Sequence, residues 1–413
     1  MSSERVQSGL SWIGDIPSHW SVVPTRSVLR LAKNLVGDDW STTQLLSLTR
    51  AGVVKRDPAS GEGKFPSSFE TYQRVEPDDL VFCLFDMDET PRTLGLSPHS
   101  GMVPGANTRF RVNRSMADPR YLGWYYLAID ERKRFRPLYS GLRKVIQKSR
   151  FLSAGVALPP LTEQRAIADY LDRETAQIDT LIEEQQRLID LLHERRQRVL
   201  SRAAEGEWVT ASLGLLLDGI KDGTHGSFVR TEPGDGMPLL GARNIMGSRL
   251  VLDGAESFIS DEDHQSIVAN GFPSTDDVLL VIVGATIGKT AVYDLQTRHA
   301  FQRSVAFLRP SQRLDSRFLC FQIQTKRFQD ELWLRAKTSA QPGIYMGDVT
   351  AIPISVPPLD EQLRIVASLE RETAKIDDVI AETERFIELS RERRSALITA
   401  AVTGQIDVRN EVA

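Results

Sequence analysis

The sequence predicts an α+β protein: two mixed α/β globular domains separated by two long antiparallel coiled-coil helices, arranged as an internal pseudo-two-fold repeat. Three observations predict it. A segment of helical periodicity occurs twice at a constant offset. Each copy is headed by Pro-Pro and carries no helix breaker. The stretches between the copies lack long helical periodicity.

The repeat comes first, because an overlooked repeat mis-assigns a whole fold. Pro159-Pro160-Leu161-Thr162-Glu163-Gln164 recurs as Pro357-Pro358-Leu359-Asp360-Glu361-Gln362, 198 residues later. The offset stays 198 through Arg173-Glu174-Thr175-Ala176 and Arg371-Glu372-Thr373-Ala374, and on to Glu194-Arg195-Arg196 and Glu392-Arg393-Arg394. Over 159–196, 21 of 38 positions are identical, which requires a duplicated unit.

Each copy predicts one long helix. The prolines bar helix upstream. Thr162 and Asp360 stand where an N-cap is expected, and Glu163 and Glu361 face the positive end of the dipole. No Gly or Pro follows until Gly206 and Gly404, and about 43 helical residues would span about 64 Å. Leu171, Ile178, Leu192 and Val199 share a seven-residue row, with Ile167, Leu181 and Leu188 on an adjoining one. Leu369, Ile376 and Leu397, then Ile365, Val379 and Phe386, repeat the pattern. Ile182, Ile189, Ile380 and Ile387 widen the stripe. Such a stripe needs a partner helix, and the other copy supplies one. Polar residues interrupt it at matched places, Gln185 with Thr383 and Arg195 with Arg393. They either fix register or face solvent.

These helices divide the chain into 1–158, 159–206, 207–356, 357–404 and a tail, 405–413. The two globular segments hold short apolar runs broken by Gly, Pro, Asn and Asp. Expected strands are Gln44–Leu48, Leu80–Phe85 and Thr108–Val112, then Val278–Val283, Thr290–Tyr293 and Val305–Leu308. Asp78-Asp79-Leu80-Val81 precedes Asp276-Asp277-Val278-Leu279 by 198 residues, so the globular segments are diverged copies too. Trp20 and Trp208 head them, 188 residues apart.

The net charge of −4 announces no nucleic-acid binder. Residues 1–158, however, carry 22 Lys/Arg against 16 Asp/Glu, a net of +6, whereas 207–356 carry 14 against 17, a net of −3. A basic part beside acidic ones suits a chain that holds a polyanion locally and proteins elsewhere. No apolar run approaches the roughly 20 residues that span a bilayer, and the segment from Met1 to Gly14 lacks the apolar core of a signal peptide. Cys83 and Cys320 show no metal-type spacing, so a reducing, cytoplasmic setting is expected.

The doubled Pro-Pro-Leu-x-Glu-Gln helix ending in Glu-Arg-Arg resembles the conserved spacers of Type I restriction-modification specificity (S) subunits. Trp12-Ile13-Gly14-Asp15-Ile16-Pro17-Ser18-His19-Trp20 is similar to the opening of many such subunits. Asp222-Gly223-Thr224-His225 resembles the start of a target recognition domain, and Thr338-Ser339-Ala340-Gln341-Pro342-Gly343-Ile344 its close. Ala401-Val402-Thr403-Gly404 matches the usual end of the second spacer. The first domain departs more, with only a loose counterpart of that close at Tyr139-Ser140-Gly141-Leu142. The resemblance implies a non-catalytic subunit of a Type I restriction endonuclease and adenine methyltransferase complex. Each recognition domain would read half of a split double-stranded DNA target in the major groove, with the halves about one turn, about 34 Å, apart. Two methyltransferase (M) and two restriction (R) subunits would be its partners. S-adenosylmethionine, ATP and Mg are expected in those partners and no cofactor in this chain.

Glu131 to Arg150 carries eight Lys/Arg and one acid. Arg132, Arg134, Arg143, Lys144 and Lys148, with Tyr139 interleaved, are therefore candidate DNA contacts, mostly to phosphate. Arg143 or Lys144, in a glycine-containing loop, is placed to reach a base edge. In the second domain the candidates are Lys221, Thr224, His225, Arg243, Asn244, Lys289, Gln302, Arg303, Lys337, Ser339, Gln341 and Tyr345. Arg and Asn/Gln suit bidentate readout of guanine and adenine.

Other classes fit poorly. Gly284-Ala285-Thr286-Ile287-Gly288-Lys289-Thr290 has three residues between its glycines where a P-loop needs four, so a turn between strands is expected. Asp86, Asp88 and Glu89 suggest an exposed acidic loop rather than a metal site. A coiled-coil adaptor carrying two ligand-binding domains remains the alternative, and an autonomous nuclease or NTPase the third reading.

Overall fold

The structure is a computed structural model that describes residues 4–57, 68–203, 205–254, 256–337 and 341–408. The chain forms two compact units. One holds Met1–Gln185 with Arg385–Ala413, and the other Gln186–Glu384. Each unit thus combines one globular segment with part of each long helix, rather than ending where the helices begin.

In the first unit β1 (Ser21–Pro24), β2 (Leu29–Leu31), β3 (Leu80–Phe82), β4 (Leu94–Leu96), β5 (Thr108–Val112) and β6 (Gly155–Leu158) carry the framework. The main sheet has the order β2-β5-β3-β4, antiparallel throughout. β1 pairs with β6 so that Ser21 faces Leu158, immediately before the Pro-Pro of the spacer. The second unit repeats this frame. Its strands are β7 (Val209–Ser212), β8 (Leu217–Asp222), β9 (Val278–Val281), β10 (Thr290–Val292), β11 (Val305–Pro310) and β12 (Pro353–Val356). The order β8-β11-β9-β10 matches the first sheet, and β7 pairs with β12 as β1 does with β6. Five of the six expected strands overlap these with ends one to three residues apart or coincident, while Gln44–Leu48 corresponds to a short hairpin strand at Leu46–Thr49.

One helix follows the last long strand of each sheet, Pro119–Glu131 and Ser316–Gln324. Asp118 and Asp315 cap them, each accepting from two backbone N–H groups that the first turn leaves orphaned. The first unit's core packs Phe82, Phe110, Tyr126 and Phe151 with centroids 5.0–5.6 Å apart. The same cluster takes in Ile167 and Leu171 from one long helix and Ile398, Ala401 and Val402 from the other.

The long helices run Leu161–Ser201 and Leu359–Val402. Both start directly after the prolines: the carbonyls of Pro160 and Pro358 already accept from Glu163 and Glu361. Thr162 and Asp360 therefore lie inside the first turn and are not the caps expected of them. Gly404, at φ +65°, closes the second helix in a conformation that suits glycine.

The two helices pair antiparallel within each unit. In the second unit Arg196 bonds Asp377 at 2.8 Å and Arg202 pairs with Glu372, so one number rises as the other falls. In the first unit Arg394 and Asp179 form an ion pair at 2.8 Å, which is the Arg196–Asp377 pair displaced by the repeat.

The seam differs from the expected one in its second row. Leu171, Ile178, Leu369 and Ile376 are buried, and Leu192 and Leu397 half-buried, as a seam requires. The adjoining row is Ala168, Thr175, Ile182 and Ile189, repeated as Val366, Thr373, Ile380 and Ile387. Leu181, Leu188, Val379 and Phe386 are exposed. Ile167 is buried in the globular core, and Ile365 is only half-buried. The two possible second rows stand one residue, about 100°, apart on the helix, and the partner decides which turns inward. The same one-residue shift moves the polar seam position: Arg195 and Arg393 are exposed, and Arg196 and Arg394 occupy the row instead. Gln185 is half-buried and Thr383 buried in the seam.

Candidate nucleic-acid interface

In an antiparallel sheet, neighbouring strands alternate direction. The last residues of β8 and β9 and the first of β11 and β10 therefore lie at one end of the second sheet. There Thr224 donates to Phe301 O at 2.7 Å and accepts from Arg303 N at 3.1 Å, forming a parallel bridge to Gln302. Gly223 lies so close that a Cβ would meet the carbonyl of Gln302 at 2.3 Å. Beyond β9, Ile282 donates to Ser304 O, and Ile344 donates to Ile282 O at 3.0 Å. The antiparallel bridge between Lys337 and Gly343 is thereby fastened to the same end. Lys289 O accepts from Val281 N on the other side of β9.

Thr224, His225, Lys289, Gln302, Arg303, Lys337, Gln341 and Tyr345 are thus gathered around one sheet end, far apart though they stand in sequence. Lys221 lies near the end of β8, opposite Phe307. His225 pairs with Asp222 at 2.6 Å, and the Lys337 ammonium lies 4.6 Å from the Tyr345 ring centroid. Ser339 lies outside the described residues. Asn244 belongs to the frame rather than the surface. It is 2 % exposed, accepts from Gly241 N and donates to Val251 O and Glu256, so no edge remains for a base. Arg243 beside it bonds Asp253.

The first unit builds the same end from different side chains. A hairpin closes with Ser140 and Val145 exchanging bonds of 2.9 and 3.0 Å. Ile146 donates to Leu84 O as Ile344 does to Ile282 O, and both pairs are 198 residues apart. The loose sequence counterpart around Tyr139–Leu142 is thus followed by the same anchoring bond that follows Gly343 in the second unit.

Much of the basic cluster here is already engaged. Arg143 grips Asp86 through Nε at 3.1 Å and a second nitrogen at 2.5 Å, and lies 5.4 Å from the Phe85 centroid. That hydrogen bonding holds the Asp86 carboxyl below the usual carboxylate range. Arg136 pairs with Asp88, Lys133 with Asp130, and Arg134 donates to Trp12 O. Arg132, Lys144 and Lys148 are exposed, and no described residue forms an ion pair with them. Tyr139 is a packing residue: its hydroxyl is buried without a hydrogen-bond partner among the described residues, and burial pushes its pKa up to about 12. Sequence reasoning missed Asp86 as the group that orients Arg143. Its sequence signal was the acidic run of Asp86, Asp88 and Glu89, which lies 57 residues from Arg143 and gives no sign of that pairing.

Gly284 to Thr290 forms a turn joining β9 to β10, with Gly284 and Gly288 at positive φ. A phosphate cradle needs a helix after the loop, and here a strand follows. Among the described residues no three His, Cys, Asp or Glu side chains are grouped to hold a metal ion. No described helix is long and apolar enough to cross a membrane.

Residues 260–385 match the family described as the Type I restriction modification DNA specificity domain. Over 95% of its length the chain is 21% identical to the Type I restriction enzyme StySPI specificity subunit of Salmonella potsdam, of which the match covers 90%. Among solved structures, one reported for complex assembly and conformational transition of the type I R-M system matches with a TM-score of 0.71 at 15% identity, covering 95% of this chain and 99% of that one. The HsdS subunit from Thermoanaerobacter tengcongensis matches with a TM-score of 0.51 at 17% identity, covering 95% and 98%.

Proposed function

We propose that this chain, which belongs with the Type I restriction-modification specificity subunits, binds a bipartite double-stranded DNA target with one recognition domain per half. The observation that carries the reading is the repeated sheet end. Both units fasten the segment at this end to the equivalent strand by the same backbone bond, Ile146 to Leu84 and Ile344 to Ile282, and carry cations beside it. Lys144, Lys148 and Arg132 in one unit, and Lys221, Lys289 and Arg303 in the other, would neutralise phosphates. Gln302, Gln341 and Arg303 have the donor and acceptor patterns that read base edges. The alike frames carry unlike side chains at this end, as two readers of different half-sites require.

The long helices would scaffold the methyltransferase and restriction subunits. Leu181, Phe386 and Leu389 in one unit, and Leu188, Leu191 and Val379 in the other, are exposed apolar residues on faces turned away from the seam. They give partner helices an apolar stripe to cover, in addition to the charged faces. Chemistry would then reside in the partners, which would hold S-adenosylmethionine, ATP and Mg in a cytoplasmic complex.

Methylation mapping of the host genome tests the reading, and should yield a split motif with adenines modified in both halves. Replacing residues 207–356 with those of another specificity subunit should alter one half only. Alteration of both halves, or a motif without a gap, would contradict one domain per half.

A further inference from the structure

At the tip of the first unit's hairpin Leu142 is 99 % exposed. A lone surface leucine carries no meaning by itself. Its mounting does. Two Ser140–Val145 bonds close the loop, Gly141 and Lys144 turn through positive φ (+69° and +45°), and Lys144 N donates to Gly141 O. Asp86 N donates to Arg143 O at 2.8 Å while the Asp86 carboxylate holds the Arg143 guanidinium. Ile146, 1 % exposed, anchors the hairpin into the core. The loop is therefore braced on both sides of a side chain that packs against nothing. Ordering such a side chain in a complex costs little, because its backbone is already fixed.

The surroundings select the partner surface. Lys144 and Lys148 are exposed cations beside the tip, and Arg143 is held facing Asp86. A polyanion would be drawn to the cations, with the leucine carried past the phosphates toward base edges. The one apolar group that a base pair displays in the major groove is the thymine methyl. Apolar wedges, leucine among them, also prise base steps apart, but they do so from the minor groove, whereas the recognition domains are proposed to read the major groove.

We propose that Leu142 contacts the 5-methyl group of one thymine in the half-site read by the first domain. The inference rests on the DNA reading above. The second repeat has Ala340 at the corresponding sequence position, so this contact would belong to one half-site.

The test uses the full chain purified with the methyltransferase subunits of its host, and fluorescent duplexes carrying the mapped target. Each thymine of the first half-site is replaced in turn by uracil, which lacks only the methyl group. One replacement should weaken binding about fourfold, the worth of one buried methyl. Leu142→Ala should weaken binding to the unsubstituted duplex by a similar factor and abolish sensitivity to that uracil. Sensitivity that persists in Leu142→Ala, no sensitive thymine, or a half-site without thymine would each overturn the contact. Failure of the parent complex to bind the unsubstituted duplex at low salt would overturn the DNA reading and this inference with it.

Discussion

Gln164 and Gln362, 198 residues apart, make the same three hydrogen bonds. Gln164 accepts from Asp118 N at 2.8 Å and donates to Pro159 O at 2.8 Å and Met116 O at 3.1 Å. Gln362 accepts from Asp315 N and donates to Pro357 O and Arg313 O, each at 2.9 Å. Both glutamines are fully buried. Each ties the start of a long helix to the residue that caps the helix following the sheet. The last residue of the Pro-Pro-Leu-x-Glu-Gln motif thus sets where each long helix leaves its globular segment.

Removing either side chain strands one buried carbonyl, that of Pro159 or Pro357, and takes a partner from two part-buried backbone groups. Gln164→Ala and Gln362→Ala are each expected to cost about 1–3 kcal/mol. Denaturant melts should show similar losses for the two variants. A neutral result for either would mean that its three groups find other partners.

The two candidate seams separate by mutation. Ile387→Ala, in the buried second row, should cost about 2–5 kcal/mol of stability. Phe386→Ala, 43 % exposed, should cost about 1 kcal/mol or less in the chain. The second variant should instead weaken recovery of the proposed methyltransferase partner in co-purification. Equal destabilisation by both would contradict the assigned seam.

The unpaired cations should govern salt dependence. Lys144→Ala and Lys148→Ala are each expected to lower the slope of log K against log salt by up to about 0.9, without changing which sequence is preferred. Arg143→Ala, whose guanidinium is held by Asp86, should change the slope less. Titrations at several salt concentrations measure both.

The second unit should also be sensitive to acid. His264 and His299 are buried, and desolvation lowers both below the ordinary histidine value of 6.5. The folded unit keeps them neutral while the unfolded chain takes up protons. Their contribution is therefore complete above pH 6.5 and is lost as pH falls through their folded values. Melting temperature should drop between pH 7 and 5, and His264→Gln with His299→Gln should flatten that drop. An unchanged slope in the double variant would exclude these histidines as its source.

The Val278–Val281 strand was legible because its four residues are apolar and bounded by turn signals, and all four are buried. The long helices were legible because a 198-residue repeat fixed them twice. The second seam row was not, because Leu181 and Ile182 are equally apolar and only the neighbouring helix distinguishes them. Asn244 read as a base reader because amide chemistry is the same in a groove as in a core, where it bonds Gly241, Val251 and Glu256.

By itself the sequence determined a duplicated chain: two matching helices, two diverged globular segments and the family they resemble. That information is local or periodic, carried by prolines, heptads and a constant offset, so it survives without coordinates. Tertiary structure decided which helix face is buried, how each unit takes parts of both helices, and which cations are held by carboxylates. Those outcomes depend on contacts between residues tens to hundreds of positions apart, such as Arg143 with Asp86 and Arg196 with Asp377. No spacing along the chain encodes such pairings, because folding alone brings the partners within bonding distance.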